Sequence, residues 1–180
     1  MPARGTPGTS RRAPGDDRSD LDLVVGADGI NSAVRNALKA ELGATVEMRP
    51  NRFVWFGAKM TLPGFTYSFR ENEHGIWNLH TYMYSQGECT FLVETTDDAF
   101  KAAGLEVENE ERSATYIERV FAEELHGTRL LRNRSFWRQF PVVRCRTWHH
   151  DNVVLLGDAA HTAHWSIGSG TKLALEDAIA

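Results

Sequence analysis

The sequence has only two cysteines, Cys89 and Cys145, no apolar run long enough to cross a bilayer, and no excess of positive charge. Two isolated cysteines make neither a disulfide framework nor a metal knuckle. A spanning helix needs about 18 or more consecutive apolar residues, and no stretch approaches that. The first twenty residues lack the apolar core of a secretory signal, so a cytoplasmic location is expected. Twenty Lys and Arg stand against 24 Asp and Glu, a formal net charge of -4, which argues against nucleic acid or an anionic membrane as partner. Met1 to Asp20 holds four Arg, three Pro and three Gly, the composition of a disordered lead-in. Asp16, Asp17 and Asp20 argue against a basic transit peptide there. No internal repeat is visible. Nor is there a Gly-x-Gly-x-x-Gly turn behind a strand, because Gly5, Gly8 and Gly15 have neither the spacing nor the preceding strand.

What is present begins with Asp22-Leu23-Val24-Val25-Gly26-Ala27, a short apolar run closed by glycine, as a buried parallel strand would be. Asp28-Gly29 is a turn pair, and Asn31 or Ser32 can cap a following helix. That helix is expected to run through Val34, Leu38 and Leu42 until Gly43 stops it. The middle of the chain is rich in aromatics. Phe65, Tyr67 and Phe69 alternate with Thr66 and Ser68, the period of a strand, and Ile76–Tyr84 and Thr90–Thr95 read as further strands. The expectation is an antiparallel sheet with one packed face and one available face. Asp97 to Ala103 reads as a short helix ended by Gly104. A longer one follows, with Ala114, Ile117, Val120, Phe121 and Leu125 on one stripe. Phe136 to Val143 returns as a strand. Val153 to Leu156 is a second buried-type strand, feeding a loop from Gly157 to Gly168 and a helix from Thr171 to Ala180. That helix is still in apolar rhythm where the sequence stops, and the strand near Leu21 lacks an upstream parallel neighbour. Both ends therefore read as cut.

The chemistry is concentrated in two turns. Gly157-Asp158-Ala159 follows a strand, and Gly168-Ser169-Gly170 opens a helix whose first N–H groups have no intrahelical acceptor. Glycine allows close backbone approach, and a helix N-terminus favours negative charge. Asp158 can accept hydrogen bonds from hydroxyls. Standing alone, this loop would more often be a plain turn. It is joined by Asp28-Gly29 with Ser32 and with Arg35, which could clamp a phosphate bidentately or simply face solvent. Four histidines, His149, His150, His161 and His164, raise a metal site as a rival. No carboxylate or cysteine is spaced to complete it, so no metal is expected; His161 reads as a hydrogen-bond partner within the loop, and His149 and His150 as a polar approach to the strand. Lys172 either reaches an acidic partner or is solvated.

On these motifs the chain, from about Leu21 onward, resembles the class A flavoprotein monooxygenases of the para-hydroxybenzoate hydroxylase fold. Asp28-Gly29 with Ser32 and Arg35 is similar to that family's Asp-Gly motif, which serves FAD and NAD(P)H. Gly157-Asp158 is similar to its second FAD motif, whose aspartate holds the ribityl chain. The stretches Trp55–Gly57, Phe69–Gly75 and His149–Lys172 look most like the salicylyl-CoA 5-hydroxylase and anthraniloyl-CoA monooxygenase branch.

The resemblance implies an α/β fold with an α+β insertion: part of a Rossmann-like FAD-binding parallel sheet and an antiparallel-sheet substrate domain. Residues 1–20 would be the lead-in, 21–48 the first FAD-binding part, 49–145 the substrate domain, and 146–180 the second FAD-binding part. Asp28, Gly29, Ser32, Arg35, Gly157, Asp158, Ala159, Gly168, Ser169 and Gly170 would bind FAD, with NAD(P)H as co-substrate. His164, Trp165 and Ser166 would lie between flavin and substrate. Trp55, Phe69, Trp77, His80 and Tyr82 are lining candidates, although most such aromatics belong to cores. The implied reaction hydroxylates an aromatic ring, carried as an acyl-CoA, with O₂ through a flavin C4a-hydroperoxide. Without the Gly-x-Gly-x-x-Gly unit, poor FAD binding and an unpaired sheet edge are expected. Two alternatives remain: a flavin-dependent halogenase or reductase of the same fold, whose Trp-x-Trp-x-Ile signature is not found, and a non-catalytic relic.

Overall fold

The computed structural model describes residues 21–180; the lead-in expected over residues 1–20 lies outside the described residues. In chain order the elements are β1 (Val24–Gly26), α1 (Ala33–Ala37), β2 (Thr45–Ala58), β3 (Thr66–Asn72), β4 (Gly75–Thr81), β5 (Met83–Ser85), β6 (Glu88–Thr95), α2 (Asp97–Ala102), α3 (Glu110–Val120), α4 (Ala122–Leu125), β7 (Leu130–Leu131), β8 (Arg138–Arg144), β9 (His149–His150), β10 (Val153–Leu155) and α5 (Gly170–Ile179). Residues 21–47 and 141–180 form one compact unit and residues 48–140 the other.

The first unit is built on a three-stranded sheet in the order β1-β10-β9. β1 and β10 run parallel, with Val24 opposite Val153 and Gly26 opposite Leu155, while β9 is antiparallel to β10. Val34, Leu42, Ala44, Val153, Leu155 and Ala160 form its core. A Cβ at Gly26 would lie 2.6 Å from Leu155 Cδ2 and 3.1 Å from Val34, so the strand end is glycine because α1 and β10 close over it. Two sequence expectations change here. β1 is not buried on both faces: Leu23 is 62% and Val25 49% exposed, and β1 has β10 as its one neighbour among the described residues. α1 is also shorter than its apolar rhythm implied. Leu38 leaves helical geometry at φ −111°, and the chain tightens through Gly43 (φ +58°). This drops Leu42 fully into the core, where its carbonyl accepts the N–H groups of Arg146 and Thr147.

The second unit is the expected antiparallel sheet, in the order β3-β4-β6-β2-β7, with β5 on β6 and β8 on β2. Its register sorts the side chains by face. Val54, Leu79 and Val93 lie in one row on the inner face. They pack with Phe100, Ile117, Phe121, Leu125 and Trp137 from the helical side and the loop before β8. The outer face carries the row Trp55, Leu92, His80, Tyr67. Helix starts are capped as helix chemistry requires: Thr96 Oγ1 accepts from Ala99 N and Asn109 Oδ1 from Arg112 N. The single long helix expected over residues 114–125 is two, because Phe121 leaves helical geometry (φ −109°, ψ 34°) and turns its buried ring edge-on to Phe91. No helix among the described residues is long and apolar enough to cross a membrane.

Candidate functional site

In the first unit the two glycine-aspartate turns leave the carboxyl ends of adjacent parallel strands, the position at which open α/β sheets hold ligands. β1 delivers Asp28-Gly29 and β10 delivers Gly157-Asp158. Arg35 fastens one turn to the other. Its Nη2 donates to the Ile30 carbonyl at 2.7 Å, and its Nη1 donates to the carbonyls of Ala159 at 3.1 Å and Asp158 at 3.4 Å. The sequence reading of Arg35 as an outward phosphate clamp is therefore corrected. The side chain is 3% exposed, and its fork is taken by three backbone acceptors. Ser32 is also turned inward: it is fully buried, and its Oγ caps α1 by accepting from Arg35 N at 2.9 Å. The Ala159 side chain is buried, and its carbonyl is one of the Arg35 acceptors.

Asp28 lies at the same helix start. Its Oδ2 accepts from Ala33 N at 2.7 Å and Val34 N at 3.3 Å. Partial burial pushes this carboxyl up, but the Ser32 hydroxyl and those N–H groups outweigh it and hold it below its ordinary value. Asp28 and Ser32 thus share the capping of α1, a five-residue helix too short to hold its own start.

Gly157 sits at φ +58°, and a Cβ there would also approach Ala174 Cβ of α5 to 3.1 Å. Glycine is required twice over, for conformation and for the closeness of α5. The Gly157 N–H donates to Asp177 Oδ2 at 2.8 Å, and His161 Nε2 lies 2.9 Å from the same oxygen. The His161 ring stacks on Trp148 at 4.6 Å, with an interplanar angle of 8°. Thr162 fixes the far side of the loop: its Oγ1 donates to the Pro141 carbonyl and accepts from Val143 N. The sequence reading of His161 as a loop hydrogen-bond partner matches this geometry. Asp177 and Trp148 were missed. The available signal was an acid on the stripe of Leu173 and Ala174, the α5 residues that are partly buried. Asp177 is the carboxylate that reaches His161; no group of three His, Cys, Asp or Glu able to hold a metal occurs among the described residues.

Beyond the loop, His164 Nδ1 lies 2.8 Å from Ser166 Oγ, and the His164 and Trp165 rings meet at 4.9 Å. Gly168 (φ +62°) ends the turn formed by Trp165–Ile167. Then α5 starts at Gly170 with no side-chain cap, and Ser169 Oγ is buried without a hydrogen-bond partner. The first intrahelical bond is Leu173 N to the Ser169 carbonyl. Gly170, Thr171 and Lys172 accordingly present N–H groups with no intrahelical acceptor. Gly29 and Gly168 sit at φ +79° and +62°, which favours glycine, whereas at Gly170 a Cβ would meet nothing within 4 Å and the backbone is open. Lys172 pairs with Glu176 one turn on. An uncapped helix start, open backbone and an orphaned buried hydroxyl fit a ligand with an anionic, hydrogen-bonding edge. The exposed Asp158 beside it suits a polyol.

Of the aromatic lining candidates, Trp77 and His80 are buried, as most such aromatics were expected to be. Trp77 is fully buried on the inner face, with Nε1 donating to Asn72 Oδ1 at 3.1 Å. Trp55, Phe69 and Tyr82 are instead 49%, 67% and 36% exposed, so three of the five stay open as lining. Tyr82 stacks on Phe65 at 5.7 Å, and Tyr67 meets His80 edge-on at 4.0 Å.

Comparison with known proteins shows the family. The FAD binding domain family matches residues 6–180. The salicyloyl-CoA 5-hydroxylase of a Streptomyces species is 40% identical over 169 residues, covering 89% of this chain and 33% of that protein. The 3-hydroxy-4-methyl-anthranilyl aryl-carrier-protein 5-monooxygenase of Streptosporangium sibiricum is 44% identical, over 88% of this chain and 42% of that one. The chain thus spans between a third and a half of these relatives. Among solved structures, the anhydrotetracycline hydroxylase of Streptomyces rimosus shares the fold with a TM-score of 0.62 at 20% identity, covering 87% of this chain and 30% of that one. HpxO of Klebsiella pneumoniae, solved with FAD, gives 0.58 at 23%, covering 88% and 42%. With these matches behind the paired turns, the chain belongs to the FAD binding domain family, as a relative of the aromatic FAD monooxygenases.

Proposed function

We propose that this chain is the flavin-holding and ring-holding part of an FAD-dependent monooxygenase that hydroxylates an aromatic ring presented as an acyl thioester, with NAD(P)H as reductant. The observation that carries this reading is the pair of glycine-aspartate turns on adjacent parallel strands, joined by Arg35 and adjoining the uncapped start of α5. Two of the relatives act, by name, on a coenzyme A thioester and on an aryl-carrier-protein conjugate, which supports the thioester. The exposed rings of Tyr67 and Phe69 on β3 of the second unit support the aromatic substrate, since stacked and edge-on contacts recognise aromatic faces.

When bound, FAD supplies the transfer of electrons to O₂ and of one oxygen atom to the ring. Overall, O₂, NAD(P)H and a proton convert the ring C–H to C–OH, giving NAD(P)⁺ and water. In this reading the residues do the positioning. Asp158 accepts hydrogen bonds from the ribityl hydroxyls, and the Gly170–Lys172 N–H groups with Ser169 Oγ stabilise negative charge at the flavin's pyrimidine edge. Asp28 and Gly29 hold the other side, with Ser32 and Arg35 keeping the turns in place from within. His164, Trp165 and Ser166 border the substrate side.

The test is a titration of the chain with FAD, followed by flavin fluorescence, against Asp158→Ala. The expected result is saturable quenching in the parent and at least about tenfold weaker binding in the variant, the loss of a charge-assisted hydrogen bond. Equal affinity in the two would remove Asp158 from the site. Supplying salicyloyl-CoA, O₂ and NADH or NADPH to the flavin-loaded protein and finding no added oxygen in the product would overturn the assigned reaction.

A further inference from the structure

The second unit contains a cavity of about 530 Å³ between Trp55, Tyr84 and Phe136 on its aromatic side and Asn133, Arg134 and Arg138 on its polar side. No carboxylate lines it. Trp55 and Tyr84 are 49% and 55% exposed, more than packing alone would leave for two large rings in one place. Three arginines of this unit pair with acids, Arg52 with Asp97, Arg70 with Glu123 and Glu124, and Arg129 with Glu118. Arg134 and Arg138 are exposed and have no acidic partner among the described residues. Two guanidinium groups line one cavity that no carboxylate lines, which makes its wall positive in a molecule whose formal net charge is -4.

The backbone at Arg134 adds to this. It sits at φ +57°, a conformation that costs a branched or long side chain about 1–2 kcal/mol and that glycine or asparagine would adopt more readily. The neighbours hold it there. Ser135 N donates to Glu110 Oε1 at 2.8 Å, Asn133 N donates to Ser135 Oγ at 3.3 Å, and Phe136 N donates to the Arg134 carbonyl at 3.0 Å. This turn sets the Arg134 side chain in the lining of the cavity.

Guanidinium forks match phosphate oxygens bidentately, tryptophan and tyrosine offer flat faces to a purine, and the volume suits a small-molecule ligand. We propose that this cavity binds a phosphorylated adenosine diphosphate, and that its source is the nucleotide end of a coenzyme A thioester. The choice of source rests on the thioester reading above. The cavity holds the carrier of the substrate while the ring is processed elsewhere. NADPH carries an isomeric group, with the extra phosphate on the 2′ rather than the 3′ oxygen, and competition separates the two.

The experiment titrates the chain with CoA, adenosine 3′,5′-bisphosphate, NADPH and pantetheine, read by calorimetry and by quenching of tryptophan emission. CoA and the bisphosphate should bind with comparable affinity, weaken steeply with added salt, and compete with each other, while pantetheine should not bind. Arg134→Ala and Arg138→Ala should each weaken CoA about tenfold. Arg134→Gly should weaken it equally while raising the thermal midpoint, because it relieves the strained φ; this separates loss of the guanidinium from loss of fold. Stronger NADPH than CoA binding at the same arginines would overturn the coenzyme A assignment. Unchanged CoA affinity in the variants, or no binding by the folded chain, overturns the site itself. FAD titrated on the same proteins distinguishes the two readings: retained FAD with no CoA binding removes only this inference, whereas CoA binding without FAD removes the flavin reading and leaves the cavity assigned.

Discussion

Asp177 shows how much a single side chain can fix. Its Oδ2 serves both the Gly157 N–H and His161 Nε2, and its side chain is 8% exposed. Removing it leaves two polar groups without their acceptor in a half-buried turn, each costing about 1–3 kcal/mol where water cannot substitute. Asp177→Ala should therefore lower the thermal midpoint and loosen FAD together, because the glycine turn that presents Asp158 loses its anchor. Asp177→Asn keeps an oxygen for the Gly157 N–H and should fall between alanine and the parent. An alanine variant with parental FAD affinity would separate the anchor from the flavin. Arg35 works by the same logic from the other side: one guanidinium holds three carbonyls that the Gly29 and Gly157 turns would otherwise leave unpaired.

At the scale of elements, α1 is the weak point. With five residues it depends on its cap, and the cap includes an ionised carboxylate. The Asp28 pKa is lowered from 3.8, so its contribution is complete above that value and is lost as pH falls through the lower folded-state value. Acid unfolding followed by circular dichroism should show Asp28→Asn less sensitive than the parent below about pH 4: the parent's advantage is full at neutral pH and shrinks as the carboxylate is protonated. A parallel pair of acid curves would mean that Asp28 does not cap as an anion. This dependence also explains which parts of the fold were legible. Capping pairs, the alternation of Phe65, Tyr67 and Phe69, and the two apolar strand runs are local signals, and they located the sheets and both turns. The early end of α1 and the break at Phe121 are set by where Leu42 and Phe121 must be buried, which is tertiary. Arg35 and Ser32 were legible as members of the site but not in direction. Spacing places a side chain on an element, whereas its partners at residues 158 and 159 lie over 120 positions away.

At the scale of the whole chain, the two units have unequal cores. The buried cluster of residues 48–140 has eighteen members, among them Trp77, Trp137, Phe56, Phe91 and Phe121, while that of the first unit has six among the described residues, none aromatic. Burial of large rings contributes roughly 1.5–3 kcal/mol each. The second unit should therefore hold its backbone hydrogen bonds longer than the first, since local opening follows local burial. The first unit is where the ligand-facing glycines lie and where α5 leaves Leu175 61% and Ile179 85% exposed. Hydrogen exchange on the chain alone should show the slowest amides in β2, β4 and β6 and faster ones in α1, β1 and α5. A ligand bound only to the folded form stabilises by mass action. Saturating FAD should then slow exchange in residues 21–47 and 141–180 far more than in the central strands. CoA, if the cavity at Arg134 is its site, should protect residues 131–138 instead. Uniform protection by both ligands would show that each acts on global stability rather than at its own turn or cavity, and would contradict the separate placement of flavin and nucleotide argued from Asp158 and Arg134.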